Sequence, residues 1–210
     1  MSRGLAFCAA VGALLAASPA AFAQWNRPTG EDGYHKHQGL FMRIDGGGGY
    51  LKTSATVSGS NLSLSGPAGS FGFSIGGNVI EDLSLFGHVG LSIVANPTVS
   101  SGGSSSSTGD SSLNFATLGG GANYYFMPYN FYVSGMIVMT RLTTTVNGTS
   151  GSTDAGLGAK IAVGKEWWIG DHWGIGVAGQ FSVGSNPDQG TNAPNWTTIT
   201  PALAFSASFN

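Results

Sequence analysis

The stretch 196–210, WTTITPALAFSASFN, decides the fold. Ile199, Leu203, Phe205, Ala207 and Phe209 fall on one parity, and Thr198, Thr200, Ser206 and Ser208 fall on the other. Successive side chains of an extended chain point to opposite faces. This alternation therefore gathers the large apolar groups on one side of a single long strand. A soluble sheet seldom carries so long a one-sided strand with an aromatic in the penultimate place. The pattern suits a strand that closes a cylinder, with oil outside and small polar groups inside.

Composition points the same way. Only 9% of residues are charged, against about 25% in ordinary soluble domains. Glycine supplies 35 of the 210 residues, and mean hydropathy is close to neutral. Such a chain lacks the charges to cover a soluble surface, but it suits a wall with a lipid exterior and a small, polar interior. No stretch after the leader approaches the roughly 18 unbroken apolar residues of a spanning helix. A chain of this kind that crosses a bilayer must satisfy its backbone hydrogen bonds as a closed barrel.

The start of the chain reads as an export leader. Arg3 is followed by an apolar run over residues 5–17, Pro19 ends the run, and Ala21-Phe22-Ala23 gives the small-x-small pattern of a cleavage site. Cleavage is expected between Ala23 and Gln24, which makes residues 1–23 a removable signal peptide. Cys8 is the single cysteine and goes with the leader, so no disulfide is available to the remainder. Losing Arg3 takes eight basic residues to seven against ten acidic ones, a formal charge of −3. That balance gives no reason to expect nucleic acid as a partner.

Residues 24–38 are polar and turn-rich, with His35, Lys36 and His37, and read as a flexible periplasmic lead-in to a barrel at 39–210. Two histidines without a third ligand do not make a metal site. Alternation marks eight strands, at about 40–53, 69–79, 83–95, 113–126, 131–146, 155–168, 173–184 and 196–210. The fifth is apolar on both parities through Val133 to Met139, and its facing stays open. Connections at 80–82, 127–130 and 169–172 are short. Those at 54–68, 96–112, 147–154 and 185–195 are long and rich in Ser, Thr, Gly and Asn, and the low-complexity loop 96–112, with its serine run at 104–107, is expected to be mobile. Short turns at one end and long loops at the other are the asymmetry of a transmembrane barrel. Tyr124, Tyr125, Phe126, Tyr129, Phe131 and Tyr132 cluster at one short turn, and Trp167, Trp168 and Trp173 at another. Amphipathic rings favour the headgroup level. Tyr124, Phe126, Tyr129, Phe131, Trp167, Trp168 and Trp173 are therefore expected as interface aromatics.

At 165–180 the chain reads KEWWIGDHWGIGVAGQ. Paired tryptophans, a short turn with Asp171, then Trp173-Gly174-Ile175-Gly176 resemble the strand-turn-strand units of bacterial outer-membrane β-barrel proteins. The whole plan resembles the small OmpA/OmpX-type barrels. The resemblance implies an all-β, eight-stranded antiparallel up-and-down transmembrane β-barrel, exported by the Sec route to the Gram-negative outer membrane. It implies outer-membrane lipid, including lipopolysaccharide, and the barrel-insertion machinery as partners, with Phe205 and Phe209 as the C-terminal strand signal. It implies no cofactor. Known members differ in activity, so membership does not choose one.

An eight-stranded barrel has an interior just wide enough to be filled by side chains. Inward parity falls on Arg43, Asp45, His88, Lys160, Glu166 and Gln180. Arg43 and Glu166 both lie near the turn end of their strands, which makes pairing across the lumen the expected outcome. An isolated buried ion is costly. Ser84 and Ser92 share a face with His88 but stand four residues away, more than about 10 Å along a strand, so no catalytic group is expected there. Three functions remain open: a non-enzymatic structural or surface-interaction role, a narrow channel for small or apolar solutes, and a lipid-modifying enzyme.

Overall fold

The computed structural model describes residues 37–57, 59–190 and 193–210. The expected signal peptide, its Ala23–Gln24 junction and most of the lead-in lie outside the described residues. Eleven strands follow in order: β1 (Leu40–Val57), β2 (Ser60–Ile80), β3 (Leu83–Ala95), β4 (Thr98–Ser101), β5 (Ser104–Ser107), β6 (Ser111–Phe126), β7 (Phe131–Val146), β8 (Thr149–Ser152), β9 (Gly156–Trp168), β10 (Trp173–Pro187) and β11 (Asn195–Phe209). Eight of them form a ring in the order β1-β2-β3-β6-β7-β9-β10-β11, every pair antiparallel. β1 closes the ring by pairing with β11, from Met42 opposite Phe209 to Ser54 opposite Thr197.

Burial alternates along much of each ring strand as the pattern of side chains requires, with a glycine-rich exception at 116–122 of β6. On β7 it is strict from Phe131 to Leu142, with even-numbered residues inside, which settles the facing that the apolar run left open. Outside, large apolar groups are bared: Leu203 and Phe205 are each 73% exposed, and Ile137 is 68% exposed. A contiguous patch of that kind is foreign to a water-facing surface and native to a lipid-facing one. The belt has clear margins. At the turn end Tyr124, Phe126, Tyr129, Phe131, Trp167 and Trp173 are all exposed. At the other end the outward series turns polar at Lys52, Ser65, Asn114, Arg141, Ser185 and Thr197.

The three short turns lie where alternation places them, between β2 and β3, β6 and β7, and β9 and β10. The long connections depart from expectation. Residues 54–57 and 60–68 pair as strand, with Ser54 opposite Ser63 and Thr56 opposite Asn61. Within 96–112, β4 and β5 form a hairpin on β2, and the serine run is itself a paired strand, Ser100 and Ser105 sharing a 2.7 Å hydroxyl hydrogen bond. β8 folds back on β7 through Asn147 (φ 48) and Gly148 (φ 80), a left-handed pair suited to a two-residue hairpin. The physical reason is solvent. Beyond the apolar belt both faces are wet, so hydrophobic alternation vanishes while backbone pairing continues.

Inward positions are crowded and outward ones are not. A Cβ on inward Gly164 would come within 2.7 Å of the Tyr132 ring, whereas one on outward Gly135 would meet nothing within 4 Å. Gly164→Val is therefore expected to lower stability by about 1–3 kcal/mol, and Gly135→Val to change it by less than about 0.5 kcal/mol. The check is the temperature at which the folded, fast-migrating gel band is lost in detergent. Equal shifts for the two variants would contradict the assigned facing.

Candidate functional site in the barrel lumen

The inward parity of β1, β6, β9 and β11 converges on one ionic knot near the turn end. Arg43 Nε and Nη2 donate to Glu166 Oε1 at 3.1 and 2.8 Å. Arg43 Nη2 also donates to the Tyr125 hydroxyl at 2.8 Å. The second carboxylate oxygen, Glu166 Oε2, accepts from Tyr125 at 3.1 Å and Ser208 at 2.8 Å. The guanidinium lies 4.0 Å from the centroid of the Tyr132 ring, a cation–π arrangement that suits a weakly hydrated planar cation. Both charges are buried, and both are saturated with partners. Such pairs define geometry more than they add stability, because desolvation offsets most of the attraction.

One level further from the turns, Asp45 accepts a 2.8 Å hydrogen bond from Gln180 and has Lys160 at 4.0 Å. Here the structure also brings His88 against Ser74, with Nδ1 3.0 Å from the hydroxyl oxygen. Ser74 is on β2, directly opposite His88 in the register, so neither Ser84 nor Ser92 is its partner. His88 and Ser74 are only 3% and 4% exposed. A cavity of about 20 Å³, enough for a water molecule, is lined by Lys160, Gln180, Ser70, Ser92, Thr117 and Thr200. Of the lining groups, Ser70 Oγ and Thr200 Oγ1 are buried without protein hydrogen-bond partners, as is His88 Nε2.

Two apolar layers flank this polar one. Phe41, Phe86, Tyr125, Tyr132, Met136 and Val138 pack toward the turn end. Leu51, Ala68, Val94, Leu113, Phe115 and Leu142 pack toward the long-loop end. All six residues of the lumen cluster singled out by parity thus face inward, and the register joins them as Arg43–Glu166 and Asp45–Gln180 with Lys160 beside Asp45. Asn123, Tyr125, Tyr132, Ser208 and Ser74 complete these groups. Parity placed them inside and shared height near the turn end pointed to the Arg43–Glu166 pair, but nothing in the sequence shows the other contacts, Gln180 with Asp45 and Ser74 with His88.

The aromatic cluster is divided by the same alternation. Tyr125, Tyr132 and Trp168 do not join the interface belt. Tyr125 and Tyr132 are buried in the lumen, and Trp168 has inward parity with its ring 4.9 Å from that of His37. His37, read as part of a flexible lead-in, is fully buried at the turn end and stacks on Tyr125 at 3.4 Å. Its Nε2 donates to Asn130 Oδ1 at 2.8 Å, and its Nδ1 is buried without a partner.

Two outcomes test this account. Arg43→Ala leaves Glu166 buried and uncompensated, and is expected to cost about 3–5 kcal/mol, whereas the double variant Arg43→Met/Glu166→Leu recovers most of it. Urea unfolding in detergent reads both, and an unchanged midpoint for Arg43→Ala would refute the pairing. Burial holds the His37 imidazole below its ordinary pKa, opposed by the Asn130 hydrogen bond. A base with a lowered folded pKa contributes stability that is present above about pH 6.5 and lost as pH falls. Wild type should lose more thermal stability between pH 7.5 and 5 than His37→Gln does, and parallel pH profiles would exclude this role for His37.

No protein-family model matches this chain, and no curated protein matches it in sequence. Among solved structures it is similar to neisserial surface protein A, at 12% identity over 80% of this chain and 95% of that one, with a TM-score of 0.55. It is also similar to outer membrane protein OprG of Pseudomonas aeruginosa, at 11% identity over 83% of this chain and 98% of that one, TM-score 0.44. The outer membrane protease OmpT of Escherichia coli matches at 10% identity over 81% of this chain and 96% of that one, TM-score 0.43. At such identities the likeness carries fold and no activity. The chain has the fold of the small eight-stranded outer-membrane β-barrel proteins.

Proposed function

We propose that this chain works as a bacterial outer-membrane barrel with a structural or surface-interaction role, without enzymatic activity, after export by the Sec route and loss of residues 1–23. The observation that carries the reading is the filling of the lumen. Buried apolar side chains occupy it at two levels, with the Arg43–Glu166 knot beside one of them. Meanwhile β1, β2, β4, β5, β7 and β8 extend paired, Ser- and Thr-rich backbone past the apolar belt. A rigid, filled tube that raises polar hairpins above a membrane is suited to meeting partners there rather than to passing solutes. Insertion by the barrel-insertion machinery and a surface partner for these hairpins belong to the same reading.

A narrow channel for small solutes is the second reading, favoured by the polar cavity beside Lys160 and Gln180. A lipid-modifying enzyme is supported least. Among the described residues its candidate pair, Ser74 and His88, is buried inside the lumen, away from the lipid-facing wall. In planar bilayers the purified protein is expected to give no stepwise current, and regular conductance steps would replace the first reading by the second. Recovery in a detergent-free periplasmic extract would end all three.

A further inference from the structure

The outward wall of the ring contains a charge asymmetry that filling the lumen does not explain. Among the described residues, three cations of the ring strands have outward parity: Lys52, Arg141 and Lys165. Both carboxylates of these strands, Asp45 and Glu166, face inward. Lys165 stands at the turn end with its ammonium occupied, donating to the Tyr129 carbonyl at 2.6 Å and lying 4.4 Å from the Phe131 ring centroid. Lys52 and Arg141 are different. Both are exposed, and neither is joined to another described residue by an ion pair or side-chain hydrogen bond.

Their height on the wall is defined by the strands themselves. Lys52 is twelve residues beyond Leu40, the first residue of β1, and Arg141 is ten beyond Phe131, the first of β7. At about 3.3 Å per residue and a tilt near 40°, both lie roughly 25–30 Å from the turn end. That is the height of an outward apolar band about 25 Å tall. Local sequence agrees. On β1 the outward series runs Tyr50, Lys52, Ser54, and on β7 it runs Met139, Arg141, Thr143, so each cation marks the change from apolar to hydroxyl. Neighbouring ring strands make the same change with neutral groups, at Ser65, Asn114, Ser185 and Thr197, so polarity alone does not require a charge there. β1 and β7 stand opposite each other, four steps apart in either direction around the ring.

We propose that Lys52 and Arg141 bind the phosphate groups of outer-leaflet lipopolysaccharide, one on each side of the barrel. An unpaired cation at that height is matched by a lipid-borne phosphate, and a guanidinium can grip phosphate through two parallel hydrogen bonds. Each cation has further polar groups beside it. The Tyr50 hydroxyl and Ser65, joined by a 3.0 Å hydrogen bond, flank Lys52. Asn114 and Thr143 flank Arg141 and face each other across the β6–β7 pair. The inference rests on the membrane reading and adds to it a ligand chemistry and two residues.

The test folds wild type, K52Q, R141Q, the double variant and K165Q into phosphatidylcholine vesicles. The vesicles are plain or contain bisphosphorylated lipid A, its dephosphorylated form, or phosphatidylglycerol. Bisphosphorylated lipid A should raise the thermal unfolding midpoint of wild type and K165Q by several degrees. Each single variant should lose about half of that rise and the double variant nearly all, with little effect from dephosphorylated lipid A. A double variant that keeps the full rise overturns the contact, as does equal stabilisation by the dephosphorylated form. Equal stabilisation by phosphatidylglycerol overturns the choice of lipopolysaccharide. Wild type that never gains its heat-modifiable folded form in plain vesicles overturns the membrane reading itself, and this proposal with it.

Discussion

Closure of the ring by the β1–β11 pair is the constraint on which the remainder depends. In hydrocarbon a backbone N–H or C=O has no water to turn to, so an open sheet edge inside a bilayer is prohibitive. Pairing the last long strand with the first removes both edges at once. It also forces each parity of side chains to one side of a continuous wall. Phe205 and Leu203 are exposed and Ser206 and Ser208 are inside for this one reason. The crowded inward glycines follow as well, since a narrow cylinder cannot seat a large residue at every inward position.

The narrow interior then governs its own chemistry. Arg43 and Glu166 are tolerable only because Tyr125, Asn123, Ser208 and the Tyr132 ring complete their shells. The Asp45–Lys160 level is looser, with a 4.0 Å separation and a small cavity whose rim includes unpartnered hydroxyls. Between two apolar layers, that level forms an enclosed polar compartment. With the inside filled, the surfaces left open are the lipid-facing wall and the paired hairpins beyond it. The margin cations and the serine-rich hairpins lie on those surfaces.

Hydrophobic alternation carried the architecture with little help. The long ring strands, the three tight turns and the inward position of all six polar lumen residues can be read from parity alone, because a strand between oil and a packed core has a period of two. The same signal failed where both faces are wet. Residues 54–68 and 96–112 look like loops because Ser, Thr and Gly carry no apolar period, yet 54–57, 60–68, 98–101 and 104–107 pair with neighbouring backbone. Clustering of aromatics was also ambiguous. Tyr125, Tyr132 and Trp168 sit beside rings that face lipid, and one residue of parity separates the two environments.

What the chain by itself determined is the sorting of side chains into an outer and an inner set, since alternation is a local property of extended backbone. Position along the strands pointed to one inner pair, Arg43 with Glu166; only the tertiary structure decided the other contacts. Ser74 faces His88, Gln180 on β10 reaches Asp45 on β1, and His37 closes the turn end against Tyr125. Those contacts depend on register and on ring closure, which are set by the packing of whole strands against one another. A local pattern specifies a face; a long-range contact also needs the height at which two faces are aligned.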